Sequence, residues 1–402
     1  MPNKGRLHLL VKDAINVFSA LHKCPTKKYL ECGSYPVIDQ GKNLIGGYTN
    51  DVLGLISTLP VIIFGDHTRV FKYIDFSFVP GADGIKIFQA KPCFLSKLLF
   101  YFLQAINLPD RGYGRHYQYL AKSLLPVPPL PEQKRIVKKI EELFAVIDKN
   151  IKQMEQTQQA LIQYCQSVLQ QAFSGKLHKT TNWELTTLQQ IADINPKTEL
   201  PKLLDDEVVS FLPMSCLQEE SLNYIEQQAS FGKVKKGYTK FQNNDILFAK
   251  ITPCMENGKG CIVTGLNHGI GFGSTEFHVL RCHKDTFPKF IYYFIIQRSF
   301  RAEAKNNMSG AVGQQRISAD FLKLHPIYIP SLPEQKAIVA KIEKAFASAD
   351  KAQTAISAAL QQAKQLKQSI LKRAFEGKLV PQDPNDKPVD LSQLKPHKGE
   401  TK

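Results

Sequence analysis

Two stretches of the chain share one periodicity. From Ile140 to Val168 and again from Ile342 to Ile370, apolar or small residues return at alternating spacings of three and four. That is the rhythm of a helix burying one stripe against another helix. The predicted seam of the first stretch is Ile140, Leu143, Ile147, Asn150, Met154, Thr157, Leu161, Tyr164 and Val168. That of the second is Ile342, Ala345, Ala349, Ala352, Ile356, Ala359, Ala363, Leu366 and Ile370. One seam is mostly bulky and the other alanine-rich, so the two can interdigitate closely. The stretches are also copies of each other. Leu-Pro-Glu-Gln-Lys opens them at 130–134 and 332–336, and Ala-Phe-x-Gly-Lys-Leu closes them at 172–177 and 374–379. Pro131 and Pro333 suit a first helical turn, where a missing N–H costs nothing, and Gly175 and Gly377 supply the left-handed residue that ends a helix. Each copy, about 42 residues, makes a rod on the order of 60 Å, which needs a long partner. We expect the two helices to pack on each other within the chain as an antiparallel coiled coil with a globular unit at each end. Pairing with another molecule is the competing arrangement. The Gln-rich run from Gln153 to Gln171 carries the seam and reads as the solvated face of the rod.

Outside the copies the pattern changes to short apolar runs bounded by turn residues. In residues 1–130, Tyr35–Ile38 and Val61–Phe64 read as strands, Asp39–Lys42, Gly46–Thr49 and Gly65–Arg69 as turns or loops, and an apolar helix is predicted near 94–106. Residues 183–332 repeat that order with different residues: a strand at Asp245–Ala249, a polar loop at Lys250–Gly260, Gly271–Phe277 leading into another strand, and an apolar helix near 289–302. The expected division is a first unit over 1–130, a helix and linker over 131–182, a second unit over 183–332, a helix over 333–380 and a polar tail over 381–402. Both units are expected to be mixed α/β domains of the same fold.

Composition adds a partner class. The 402 residues suit two globular units better than one, and the net charge of +16 favours a polyanion, most simply nucleic acid. The excess is uneven: the first 130 residues carry +7 and residues 183–332 only +1, so any contact by the second unit must come from local patches. The apolar stretches are too short to span a bilayer, no signal peptide is evident, and eight scattered cysteines without a CxxC pair fit reduced thiols in the cytoplasm. There is no P-loop, no Asn/Asp-Pro-Pro-aromatic methyltransferase tetrapeptide and no Rossmann spacing around Gly269–Gly273. Phe290, Tyr292, Tyr293 and Phe294 sit at helical spacing and read as core. His67 beside Asp66 lacks a nucleophile tied to it by sequence and fits a phosphate- or base-contacting loop better than a catalytic pair. The Lys233–Lys240 run is either a solvated turn or a set of phosphate contacts.

These residues resemble a known family. The Pro-x-Leu-Pro-Glu-Gln-Lys openings and Ala-Phe-x-Gly-Lys-Leu closures are similar to the two central repeats of type I restriction-modification specificity subunits. Trp183–Ala192, Lys250–Pro253, Glu256–Lys259, Gly273–Phe277 and Gly313–Ile317 resemble one of that family's target-recognition domains; Tyr35–Gly41, Gly46–Thr49, Phe64–Arg69 and Asp83-Gly84 resemble another subclass. The resemblance implies an α/β fold: two mixed α/β target-recognition domains separated by two long antiparallel coiled-coil helices, with a pseudo-twofold relation. It implies a non-catalytic subunit that reads a bipartite double-stranded DNA target and recruits two methyltransferase subunits and restriction/translocase subunits. S-adenosylmethionine, ATP and Mg would belong to those partners, with no cofactor, metal or membrane contact in this chain. The expected DNA contacts are His67, Thr68, Arg69, Arg111, Arg115, His116, Tyr117, Lys235, Lys236, Lys250, Thr252, Asn257, Lys259, Gln314, Gln315 and Arg316. Arg, Asn and Gln make the paired hydrogen bonds that distinguish base edges. One departure stands out: no counterpart of the Trp183–Ala192 opening is evident in residues 1–28. A first domain shortened at its start would make the chain a scaffold or regulator instead.

Overall fold

The computed structural model describes residues 7–18, 20, 22–81, 84–110, 112, 114–177, 182–311 and 313–392. The chain divides into two units, residues 1–154 with 357–402, and residues 155–356. The first contains β1 (Leu7–Leu10), α1 (Val11–Ala14), β2 (Ile15–Phe18), β3 (Tyr35–Ile38), β4 (Gly47–Thr49), β5 (Val61–Gly65), β6 (Phe71–Ile74), β7 (Val79–Pro80), β8 (Ile85–Ala90), α2 (Ser96–Ala105), α3 (Tyr117–Leu120), β9 (Leu124–Val127) and the first part of α4 (Leu130–Phe173). Next come β10 (Glu184–Thr187), α5 (Leu188–Ile191), β11 (Ala192–Ile194), β12 (Val208–Leu212), β13 (Gln227–Ser230), α6 (Phe231–Val234), β14 (Thr239–Gln242), β15 (Ile246–Ala249), β16 (Gly260–Ile262), β17 (Ile270–Gly273) and β18 (Phe277–Cys282). The chain then forms α7 (Pro288–Ile295), α8 (Arg298–Asn306), α9 (Ala319–Leu324), β19 (Pro326–Ile329) and α10 (Leu332–Phe375).

The two units share one topology. Strand order β2-β8-β5-β6 in the first matches β11-β18-β15-β16 in the second. A second sheet, β4-β3-β7, matches β13-β12-β17, with β3 parallel to β7 and β12 parallel to β17. The central strands β5 and β15 are buried along their whole length, which is why their residues form apolar runs without alternation. The second unit adds α6, β14 on the outer edge of β17, and α8. The helix predicted over 289–302 is in fact two. α7 buries residues nearly all round, whereas α8 is amphipathic; the chain bends at Gln297, and the Arg301 Nε donates to the freed carbonyl of Ile296.

The opening thought to be absent from the first unit is present. β1, α1 and β2 mirror β10, α5 and β11: β1 pairs antiparallel with β9 as β10 does with β19, and β2 pairs with β8 as β11 does with β18. The correspondence lies in backbone pairing, which residue identity at those positions does not reveal. Residues 380–391 are not a free tail either. Val380, Val389 and Leu391 pack on the first unit's core, and Asp386 pairs with Arg135 at 2.5 Å.

Within each unit the long helices run antiparallel. In the first, Ile140 and Ile147 of α4 share a core with Ile370, Leu371 and Ala374 of α10, and Lys367 donates to Asp148. In the second, Val168, Leu169 and Ala172 share a core with Ile338, Val339 and Ile342. The seam is shifted on α4. Asn150, Thr157 and Tyr164 are exposed (Tyr164 by 48%), while Ile151, Gln158 and Cys165 are half-buried in their place. On α10, Leu366 is 52% exposed and Lys367 takes the inward position. An apolar face wider than one seam fits either spacing, and the next residue round wins where it is the more apolar or longer. Both helices end as expected, with Gly175 and Gly377 left-handed and the following N–H groups bonded back into the last turn. Among the described residues, no helix is long and apolar enough to cross a membrane.

The repeated Gln in the opening motif has a definite task. Gln133 is fully buried; its amide donates to the carbonyls of Cys93 and Pro128, and its oxygen accepts from Leu95 N–H. Gln335 repeats this with Asp285, Pro330 and Phe287. Each carboxamide ties the head of a long helix to the segment that leads into α2 or α7. Replacing Gln335 with Leu strands these backbone groups, and each costs about 1–3 kcal/mol when buried unpaired. Urea unfolding of Gln335→Leu should show a loss of about 3 kcal/mol or more; a loss under about 0.5 kcal/mol would contradict the lock.

Candidate nucleic-acid interface

Three loops meet at the same point of each fold: the loop after β5 or β15, the turn before β8 or β18, and the segment before α3 or α9. Two backbone hydrogen bonds recur. In the first unit Asp66 N–H donates to Gly84 O at 2.7 Å, and His116 N–H donates to Asp66 O at 3.0 Å. In the second, Lys250 N–H donates to Glu276 O at 2.9 Å, and Ile317 N–H donates to Lys250 O at 2.9 Å. The first residue beyond the central strand thus holds the other two loops, giving a fixed frame on which side chains differ.

In the first unit this frame gathers His67, Thr68, Arg69, Arg115, His116 and Tyr117; Arg111 lies outside the described residues. Thr68 and Arg115 are exposed. The Thr68 hydroxyl donates to Gln40 O at 2.7 Å, drawing the β3–β4 connection into the cluster. Arg69 adopts φ 61° and pairs with Asp110 at 3.0 Å. Asp110 is held below the usual carboxylate range by the Gly112 N–H and by Arg69. Gly84 is the close approach of the turn before β8: at φ 92°, an added Cβ would sit 2.9 Å from the His67 ring. Two candidates serve the frame rather than a ligand. His116 is fully buried, its Nδ1 donating to Asp66 O at 2.9 Å. Tyr117 is half-buried against Phe88 with Lys86 over its ring.

In the second unit Lys250, Thr252, Gln314, Gln315 and Arg316 come together. Thr252 N–H donates to Gln315 O at 3.0 Å. Arg316 is not free to fork onto a base. Its Nε and Nη2 both donate to the Glu276 carboxylate, at 2.9 and 2.8 Å, and its Nη1 donates to Gln314 O. The Arg316 hydrogen bond holds the Glu276 carboxyl below its ordinary range. Asn257 and Lys259 lie on the returning limb of the β15–β16 loop, where Lys259 O accepts from Ala249 N–H at 3.0 Å; Asn257 donates to Glu219 at 2.8 Å, and the backbones of Lys259 and Glu219 pair. Lys235 is tied to Asp205 at 2.6 Å, whereas Lys236 is exposed. Both precede β14, whose first residue, Thr239, pairs with Gly273. They therefore lie toward the end of that sheet that carries the Ser274–Glu276 turn.

Three residues that matter here escaped the sequence reading as site residues: Asp66, Glu276 and His278. Glu276 lies in a quoted motif, but its bond to Arg316, forty positions on, has no sequence signal. His278 is buried on β18. Its Nε2 donates to Ile317 O at 2.9 Å and its Nδ1 accepts from Asn195 at 3.0 Å, so the neutral ring holds the third loop from beneath. Among the described residues no group of acidic, His or Cys side chains could hold a metal ion.

The family profile described as the Type I restriction modification DNA specificity domain matches residues 180–362. Over that segment the chain is similar to the type I restriction-modification specificity subunits. It is 34% identical over 250 residues to the type I restriction enzyme EcoAI specificity subunit of Escherichia coli, a stretch covering 52% of this chain and 42% of that one. It is 29% identical over 273 residues to the EcoKI specificity subunit of E. coli strain K12, covering 64% and 58%. The chain thus spans about half the length of the curated relatives it matches. Its fold is like that of a chain solved in work on complex assembly and conformational transition of the type I R-M system (TM-score 0.68, 17% identity, 94% of this chain and 100% of that one). It is also like the HsdS subunit from Thermoanaerobacter tengcongensis (TM-score 0.53, 16% identity, 94% and 98%). The first unit lies largely outside the matched profile and is linked to the second by its topology, so the chain carries the fold of the matched segment twice.

Acid should loosen the second junction. Burial lowers the pKa of His278; the hydrogen bond to Ile317 O opposes this, Lys250 adds to it and Glu276 opposes it. The neutral ring's contribution is whole above the unfolded pKa, near 6.5, and is lost as pH falls toward the lowered folded value. Wild type should exceed His278→Gln in unfolding free energy at about pH 7.5, and the gap should narrow as pH falls below about 6.5. A gap constant across that range would refute the role of the neutral ring.

Proposed function

We propose that this chain is the sequence-reading subunit of a type I restriction-modification complex. Each unit presents its three-loop junction to one half of a two-part double-stranded DNA target. The carrying observation is the duplicated junction: one backbone frame, two different sets of polar side chains. A frame repeated with its bonds intact and its side chains changed is what two readers of different half-sites need. Thr68, Arg115, Lys250, Gln314 and Gln315 are the side chains placed to meet base edges or phosphates, with Lys236 as a phosphate contact.

The chemistry is assigned to partners. Methyltransferase subunits, two in the full assembly, would bring S-adenosylmethionine and flip the target adenine, and restriction/translocase subunits would bring ATP and Mg. The chain itself is read as non-catalytic and as working in the cytoplasm with the DNA. The strand–helix–strand opening of the first unit favours a working first reader over a shortened scaffold.

Selection from a random duplex pool by the full chain, co-expressed with its methyltransferase subunit, should return two short motifs at fixed separation. A single motif, or none, would contradict the reading. On the selected duplex, Gln314→Ala should cost about 1–3 kcal/mol of discrimination in the second half. Lys236→Ala should weaken selected and random duplexes alike and flatten the salt slope by about 0.9. Equal losses on both duplexes for Gln314→Ala would remove it from the reading set.

A further inference from the structure

One acidic residue in each unit bonds to both of the other loops, and the two are not equivalent in position. Asp66, 5% exposed, lies on the loop after β5. Its N–H holds Gly84, and its Oδ1 accepts from His116 N–H at 2.9 Å and Tyr117 N–H at 2.7 Å. Glu276 lies on the turn before β18. Its carbonyl accepts from Lys250 N–H, and its carboxylate takes the fork of Arg316. We propose that Asp66 and Glu276 are positioning residues, each setting the geometry of its own unit's reading loops. This rests on the functional reading above and goes beyond it by naming what makes each half-site reader precise.

A carboxylate beside DNA repels phosphate, so an acidic side chain at this face weakens binding to every sequence unless it is neutralised. Both are satisfied inside the junction: Asp66 by two N–H groups and Glu276 by a guanidinium. What they supply is preorganisation. Base-edge hydrogen bonds discriminate only when donor and acceptor arrive in register, and a loop ordered before binding loses less entropy on contact. Glu276 also keeps Arg316 off the DNA. With both donors of its fork occupied, Arg316 acts as a strut, and releasing it adds a mobile cation that attracts any phosphate.

The consequence is specific to each half-site. With the full chain and its selected duplex, affinity is measured against two control duplexes, each with one half scrambled. Glu276→Gln should reduce the penalty for scrambling the second half about tenfold while leaving the penalty for the first half intact. Its affinity for random duplex should hold or rise. Asp66→Ala should show the reverse half-site pattern, and Asp66→Asn, which keeps an acceptor for both N–H groups, should restore discrimination. Arg316→Lys, which keeps the charge but not the fork, should behave as Glu276→Gln and tests the second clamp even if Asp66→Ala does not fold. A merely structural role would lower both penalties together, or lower the melting temperature with both penalties intact, and either result overturns the proposal. Wild type indifferent to both scrambled halves would refute the functional reading, and this inference with it.

Discussion

Each long helix begins with a buried carboxamide, and the placement of each α/β unit on its helices depends on it. Gln133 and Gln335 sit where a loop is pressed between a helix head and the segment entering α2 or α7, out of reach of water. Backbone groups there must find partners or cost free energy, and one side chain with two donors and one acceptor satisfies three of them. No other uncharged side chain of that reach offers two donors together with an acceptor. The duplicated Leu-Pro-Glu-Gln-Lys therefore marks a fastening that repeats because the geometry repeats.

From that fastening outward, constraint gives way to variation. The helix faces and the central strands β5 and β15 are fixed by apolar packing, and the first residue past each strand is fixed by two backbone bonds to neighbouring loops. Backbone bonds make no demand on side-chain identity. Position 66 can be Asp and its counterpart Lys250, the turn can end in Gly84 or Glu276, and the third loop can lead with His116 or Ile317. That tolerance is the physical basis for one fold reading different sequences. The cost falls on precision, which the carboxylate clamps and the neutral His278 supply locally.

Much of this was legible in the chain. The duplicated ends located both helices and their glycine stops, and the unbroken apolar runs at Val61–Phe64 and Ile246–Ala249 marked the central strands. Three features were not. The β1–α1–β2 opening is defined by pairing with β9 and β8, and it shares with the second unit's opening only the buried apolar positions (Val11, Ala14 and Ile15 against Leu188, Ile191 and Ala192), not their identities. The α4 seam was placed one residue off at three positions because its apolar face admits both spacings. At the site, composition pointed to the right loops but not to each side chain's work. His116 looked like a reader and is buried, Arg316 looked free and is committed to Glu276, and Asn257 belongs with Glu219. Those outcomes depend on partners 38 to 50 positions away in sequence, which local spacing does not encode.

The central claim is that both three-loop junctions, and not the helices or other sheet edges, meet DNA. Amide hydrogen exchange of the full chain with and without its selected duplex tests it most directly. Protection should rise at residues 66–69 and 115–117 in the first unit and at 250–252, 274–276 and 314–317 in the second. Protection at one junction alone, or confined to the long helices, would contradict the account.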